Sequence, residues 1–349
     1  MPSIEVGVLG ATGMVGQQFI ALLAQHPWFK VTWLGASERS AGKAFRDAAA
    51  WRLPNPLPDD VARLQVQNAA DAAAKAPKLV FSGLDSSVAG EIEGAFAEAG
   101  HFIISNSKNY RMEADVPLLI PEVNADHLAL LEVQAAARGW KGRIVTNPNC
   151  STVVLAMALA PLRQFGLSKV MITTLQAISG AGYPGVPSWD ILANVIPFID
   201  GEEHKIETET KKILGAFGGG TVVPHAVMVS ASTTRVPVHD GHTESVSVSL
   251  DHQPTAAAII DAFGAFKGKP QDLGLPSAPK HPVVYLHERN RPQPALDVNR
   301  DGGMTVSVGR LRPCSVLGFK FIALGHNTIR GAAGAAILNA ELMHKEGLL

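Results

Sequence analysis

Val6-Gly7-Val8-Leu9-Gly10-Ala11-Thr12-Gly13-Met14-Val15-Gly16 is the stretch that decides the fold. Val6 to Leu9 is an apolar run broken by Gly10. Met14 to Ala24 then sets apolar residues at helical spacing until His26-Pro27 stops it, so the order is strand, glycine turn, helix. Working outward, Lys30 to Ala36, Lys78 to Ser82, Phe102 to Ser105 and Arg143 to Thr146 read as further strands, and Ala89 to Ala99 as a helix. Strands alternating with helices imply right-handed crossovers and a doubly wound parallel sheet. Arg52 to Asp60, with three prolines, is a loop.

After Cys150 the pattern changes. Ser151 to Phe165 reads as a helix, and alternating runs follow at Lys169 to Ala177, Ala226 to Val236, Thr243 to Leu250 and Met304 to Leu311. Long strands with few helices between them predict an α+β domain with a mixed sheet, one face covered. Gly268 to Pro282 and Arg289 to Pro294 are Pro-rich connections, and the Ala-rich stretch Thr328 to Leu342 predicts a helix returning to the first domain. The expected division is 1–149 for the parallel-sheet domain, 150–327 for the mixed-sheet domain, and 328–349 folding back onto the first.

The chain has 349 residues, enough for two domains at about 150 each. Lys+Arg is 30 and Asp+Glu is 31, a formal charge of −1 with no long basic run, which speaks against a nucleic-acid partner. The longest apolar stretch, Val153 to Leu162, is too short to span a bilayer. Met1 to Glu5 carries no basic, apolar leader pattern, so the expected location is the cytoplasm. Two distant cysteines, Cys150 and Cys314, and scattered histidines give no support for a disulfide scaffold or a metal site.

Gly10, Gly13 and Gly16, spaced by three between a strand and a helix, form a phosphate cradle of Rossmann-like type. Glycines allow close backbone approach, and the helix start offers free N–H groups and the positive end of its dipole. After the second strand, Ser37, Arg39, Ser40 and Lys43 offer hydroxyls and cations suited to a 2′-phosphate, so NADP is favoured over NAD, although Glu38 stands nearby for a ribose hydroxyl.

Asn147-Pro148-Asn149-Cys150-Ser151-Thr152 lies between a strand end and a helix start. There the dipole and unpaired N–H groups are expected to lower the Cys150 pKa and make a thiolate nucleophile, with those groups and Asn149 holding an oxyanion. Arg235-Val236-Pro237-Val238-His239-Asp240-Gly241-His242 offers a base, and on sequence alone His239 competes with His242. Cys314 has no such context and reads as structural.

Gly10 to Gly16, Asn147 to Thr152, Gln176 to Gly182, Glu202-Glu203-His204-Lys205, Arg235 to His242 and Gly325 to Gly331, in order along nearly the whole chain, resemble the aspartate-semialdehyde dehydrogenases. Asn109-Tyr110-Arg111 and the tail resemble the archaeal and fungal branch. The resemblance implies NADPH-dependent reduction of L-4-aspartyl phosphate to L-aspartate-4-semialdehyde, on the route to lysine, threonine, methionine and isoleucine, by a homodimer or homotetramer. It implies Cys150 as acyl acceptor, His242 as acid/base taking the hydroxyl proton, and Gln176 orienting the acyl-enzyme. Arg235 would clamp the substrate carboxylate, Glu202 its amine, and Lys205, Arg111 and Asn109 its phosphate. The cofactor set expected is Gly10, Thr12, Gly13, Met14, Val15, Ser37, Arg39, Ser40 and Lys43 with Ser82, Gly83, Gly180 and Asn327.

Other acyl reducers of this architecture, malonyl-CoA reductase above all, are the alternatives. N-acetyl-glutamyl-phosphate reductase fits less well, because a Gly-Cys pairing is replaced by Asn149-Cys150. Short-chain dehydrogenases share the glycine pattern but need Tyr-x-x-x-Lys, and here Tyr110, Tyr183 and Tyr285 are followed at that spacing by Ala114, Pro187 and Arg289. A catalytically silent NADP-binding sensor would have no use for Cys150 and His242 together.

Overall fold

In the computed structural model, which describes residues 3–71 and 73–349, β1 (Ile4–Leu9) is buried along Val6, Val8 and Leu9 and feeds directly into the helix Met14–Leu23. Around it form β2 (Phe29–Ala36), β3 (Val66–Asn68), β4 (Leu79–Ser82), β5 (Phe102–Ser105) and β6 (Arg143–Thr146). All pair in parallel, in the order β3-β2-β1-β4-β5-β6. The order reverses direction at β1, so a crevice opens beyond the carboxyl ends of β1 and β4, where such sheets bind ligands. Edge strand β3 escapes the sequence reading because it is three residues long.

The second sheet is mixed. β7 (Leu167–Gln176), β8 (Ala216–Gly218), β9 (Thr221–Val223), β10 (Met228–Arg235), β11 (His242–Leu250), β12 (Val283–Leu286), β13 (Val306–Cys314) and β14 (Gly318–Gly325) follow in the chain, and all but the small β8–β9 hairpin join in the order β10-β7-β11-β14-β13-β12. β7 and β11 alternate buried and open positions, as a sheet with one covered face requires. Central strand β14 is absent from the sequence reading, because Phe319-Lys320-Phe321-Ile322-Ala323-Leu324 does not alternate cleanly. The expected helix Ser151 to Phe165 runs as Cys150–Leu159 and tightens to a 3₁₀ segment through Phe165, where Pro161 lacks an N–H for the α-helical ladder.

Ser151 to Leu159 are all buried, an apolar helix wrapped on every side and wedged between the second sheet and the chain's tail. The tail turns through a π-helical segment, Ile329–Ala333, into the helix Gly334–Lys345. Ala333, Ala336, Ile337, Leu338, Ala340, Leu342 and Met343 share a core with Val6, Val8, Phe19 and Phe81 of the first sheet's layer. Arg330 is fully buried and ion-paired with the equally buried Glu122, tying the tail to the segment after β5.

Breaking a buried pair leaves an uncompensated charge, whereas replacing both partners with apolar groups does not. Glu122→Ala is therefore expected to lower unfolding stability by about 3–5 kcal/mol in urea titration. The double variant Glu122→Leu/Arg330→Met is expected to lose less than either single change.

Candidate active site

The Cys150–Leu159 helix begins at the carboxyl end of β6, and Asn149 caps it. Asn149 Oδ1 accepts from the Ser151 and Thr152 N–H groups at 3.0 and 3.1 Å, and its Nδ2 donates to Glu202 Oε1 at 2.7 Å. Cys150 Sγ lies 3.1 Å from His242 Nε2. His242 opens β11, two strands from the Arg235 end of β10. It is buried, whereas the ring of His239, the competing histidine, is 84% exposed and bonds only to Asp240.

The Ala177 N–H donates to His242 Nδ1 at 3.1 Å. An N–H donor needs a lone pair, so the neutral ring carries its proton on Nε2, toward sulfur. Burial drops the His242 pKa to about 3, so the ring is neutral at physiological pH. In the free protein His242 is thus presented to Cys150 as a donor.

Burial, reinforced by the charge of Glu202, pushes the Cys150 thiol up to about 12, against the pull of Arg235 and Arg111. This corrects the expectation of a depressed thiol pKa. Two first-turn N–H groups are spent on the Asn149 side-chain oxygen, and loss of solvation outweighs the cations.

Around the thiol, Gln176 Nε2 donates to Glu202 Oε1 at 3.3 Å and Lys205 Nζ to Glu202 Oε2 at 3.0 Å. Burial works against the Glu202 carboxylate, but Lys205 and the Asn149 amide more than offset it and hold its pKa below the usual range. The Arg235 guanidinium donates from Nη1 to Ala177 O and has no acidic partner among the described residues. A Cβ on Gly180 would meet Arg235 Nη1 at 2.9 Å and His242 Nε2 at 3.3 Å, so this cation lies close to the Cys150–His242 pair.

A cavity of about 270 Å³ opens on Cys150, lined by Asn106, Arg111, Asn149, Gly180 and Asn327 among others. Arg111 is 7% exposed, and its Nε has no hydrogen-bond partner. A buried guanidinium with an unspent donor on the wall of a cavity is suited to an anion. Asn109 does not reach this site: it is exposed, accepts from Ser107 Oγ and donates to Ser86 O, and Asn106 stands on the cavity wall in its place.

A cleft of about 800 Å³ runs from this cavity along the carboxyl edge of the first sheet. Gly10, Thr12, Gly13, Met14, Val15, Ser37, Arg39, Ser40, Lys43 and Gly83 all line it, joined by Arg52 and Tyr183, which the sequence reading did not single out. The Arg52 guanidinium stacks 3.3 Å from the Tyr183 ring centre, so a loop of each domain meets over the cleft. No side chain caps the Met14–Leu23 helix, which leaves its first N–H groups to a ligand. A Cβ on Gly16 would stand 2.3 Å from Gly10 O, so this tight cradle admits only glycine there. The residues present therefore fit a dinucleotide carrying a 2′-phosphate. Ser82 is a correction: it is fully buried and its hydroxyl donates to Glu93 Oε1, away from the cleft.

Glu209 and Lys212 were missed. Glu209 binds Arg111 and the Asn149 N–H, and Lys212 Nζ donates to the carbonyls of Arg111, Glu113 and Val116. Their spacing of seven from Glu202 and Lys205 on one helix was the available signal.

Residues 5–131 match the family model described as semialdehyde dehydrogenase, NAD binding domain, and residues 159–330 match semialdehyde dehydrogenase, dimerisation domain. The aspartate-semialdehyde dehydrogenase of Archaeoglobus fulgidus is 51% identical over 345 residues, 99% of each chain. That of Cryptococcus neoformans is 48% identical over 360 residues, covering 100% of this chain and 99% of its own. The crystal structure of aspartate semialdehyde dehydrogenase with NADP from Candida albicans superposes with a TM-score of 0.91 at 45% identity, over all of both chains.

A thiol pushed up to about 12 is alkylated through its small thiolate fraction, which grows tenfold per pH unit below the pKa. Iodoacetamide labelling of Cys150 in the free protein is therefore expected to climb through pH 7 to 10 without levelling. A plateau beginning near pH 7 would reveal a resting thiolate instead.

Proposed function

This chain belongs to the aspartate-semialdehyde dehydrogenase family, and we propose that it is the phosphorylating, NADP-dependent enzyme that reduces L-4-aspartyl phosphate to L-aspartate-4-semialdehyde in amino-acid biosynthesis. The observation that carries this reading is the contact of Cys150 Sγ with His242 Nε2 at 3.1 Å beside an underused buried arginine. The product leads on to lysine, threonine, methionine and isoleucine.

In this reading Arg235 takes the substrate carboxylate, Glu202 its ammonium, and Arg111 with Lys205 its phosphate, while Gln176 and Asn149 flank the acyl group. Sulfur forms a bond to the acyl carbon as the bond from that carbon to the phosphate oxygen breaks. The thiol proton leaves on the phosphate as hydrogen phosphate, and a thioester on Cys150 remains. NADPH, held by the glycine cradle with Ser37, Arg39, Ser40 and Lys43, and flanked by Gly83, Gly180 and Asn327, supplies a hydride to the thioester carbon when bound. His242 Nε2–H donates to the oxyanion on that carbon. When the adduct collapses to the aldehyde, the same N–H receives the departing thiolate, which solvent then reprotonates. No step asks His242 to gain a second proton.

Two domains serve these two tasks, 1–149 with the returning 328–349 for the dinucleotide and 150–327 for the chemistry. The separate apolar cores of the two sheets support that division. Met171, Leu175 and Met228 stand exposed on β7 and β10, and Trp189, Leu192 and Phe198 on the segment that leaves β7. All lie within the stretch matching a dimerisation domain, and they suit a homodimer, itself able to pair into a tetramer. No helix among the described residues is long and apolar enough to cross a membrane, and a reaction that runs through a free Cys150 suits the reducing cytoplasm.

The test is the reverse reaction: NADPH absorbance with aspartate semialdehyde, phosphate and NADP. Phosphate-dependent NADPH formation is expected, falling to background in Cys150→Ala. Turnover of malonyl-CoA with NADPH, and none with aspartate semialdehyde, would overturn the substrate assignment. Arg39→Ala and Lys43→Ala are each expected to raise KM for NADP by about tenfold or more while leaving KM for NAD unchanged. Light scattering should give at least twice 36.8 kDa, and a monomer at micromolar concentration would refute the assembly.

A further inference from the structure

One buried carboxylate at the site remains without a task. Glu209 lies on the helix Glu202–Ile213, is 2% exposed, and is not among the residues that touch substrate in the reading above. Its Oε2 accepts from the backbone N–H of Asn149 at 2.7 Å, and its Oε1 accepts from Arg111 Nη1 at 3.0 Å. One carboxylate therefore joins the residue before the nucleophile to a guanidinium that lines the same cavity.

Arg111 makes one other side-chain bond, from Nη2 to Asn106 O at 2.6 Å, and its Nε has no partner. The guanidinium plane is thus fixed from two sides, with the Nε–H and one N–H on each Nη left over. Its backbone is held by the same helix, since Lys212 Nζ donates to the carbonyls of Arg111, Glu113 and Val116. Two turns earlier, Glu202 grips the Asn149 side chain and Lys205. Glu202 and Glu209 therefore each hold one half of Asn149 and one cation.

We propose that Glu209 is a positioning residue that sets the distance from Cys150 to the Arg111 guanidinium, and so tunes the site for the phosphate group of substrate and for inorganic phosphate. This rests on the assignment of Arg111 to phosphate above. In the carboxylate one oxygen accepts from Asn149 N–H and the other from Arg111; an amide at 209 replaces one of these oxygens with an NH2 that cannot accept, so held in the same place it satisfies Asn149 N–H or Arg111 but not both. A carboxylate serving only to anchor the helix would affect every substrate alike.

The experiment measures Glu209→Gln in the wild-type and Arg111→Ala backgrounds, in the full-length protein. Expected is a rise of about tenfold in KM for phosphate, the scale of one lost charged hydrogen bond, with KM for NADP unchanged. No further rise is expected once Arg111 is already alanine. Equal changes for all substrates, or the same tenfold on top of Arg111→Ala, would overturn the proposal. A second readout needs no turnover: the concentration of inorganic phosphate that halves Cys150 alkylation by iodoacetamide should rise about tenfold in Glu209→Gln. An unchanged protection constant counts against Glu209 even if the substrate proves to be another acyl phosphate. Phosphate-protected Cys150 without turnover of aspartate semialdehyde counts against the function reading alone. If Glu209→Gln does not fold, Glu209→Asp, one methylene shorter, is expected to show the same phosphate-selective loss.

Discussion

The site hangs on Asn149, whose hydrogen-bonding groups are all committed. Its side-chain oxygen closes the first turn of the helix, its amide is held by Glu202, its N–H by Glu209, and its carbonyl accepts from Val153 N–H. A helix start held on three sides cannot fray, and Cys150, the next residue, inherits that rigidity. From the other direction Gly331 lies against it, where an added Cβ would come within 2.8 Å of the Cys150 Cβ. Cys150 thus sits where the last strand of the first sheet, the helix that follows it and the returning tail converge.

Proton placement follows from the same tight packing. A histidine whose Nδ1 is committed to a backbone N–H offers Nε2–H to whatever negative charge forms opposite it. Loss of solvation keeps both members of the pair neutral at rest, so charge appears only as the reaction creates it. A fixed donor in such surroundings is worth more than one in water, because it need not reorganise.

Much of the architecture was legible because it rests on short-range rules. The strand-turn-helix around Gly10 to Gly16, the parallel sheet of the first domain and the period-two runs of β7, β10 and β11 stand as read. So does the kinship with archaeal and fungal relatives. What escaped depends on tertiary context: β14 gains its place from neighbours on both sides rather than from its own alternation. The environment of Cys150 was misread for the same kind of reason, since helix position is visible in sequence but burial and the use of the N–H groups by Asn149 are not. Asn109 and Ser82 stand near the right elements with their side chains committed elsewhere, and Glu209 and Lys212 escaped because which charges of a helix are buried is set by what packs on it.

The central claim is that Cys150 carries the acyl group as a thioester after phosphate has left. The most direct measurement mixes the protein with L-4-aspartyl phosphate and no dinucleotide, then follows phosphate release and the mass of the Cys150 peptide. The account predicts release of one phosphate per active site in a single burst, with an aspartyl adduct on Cys150 that disappears on adding NADPH. Phosphate released only when NADPH is present, with Cys150 unmodified throughout, would contradict it.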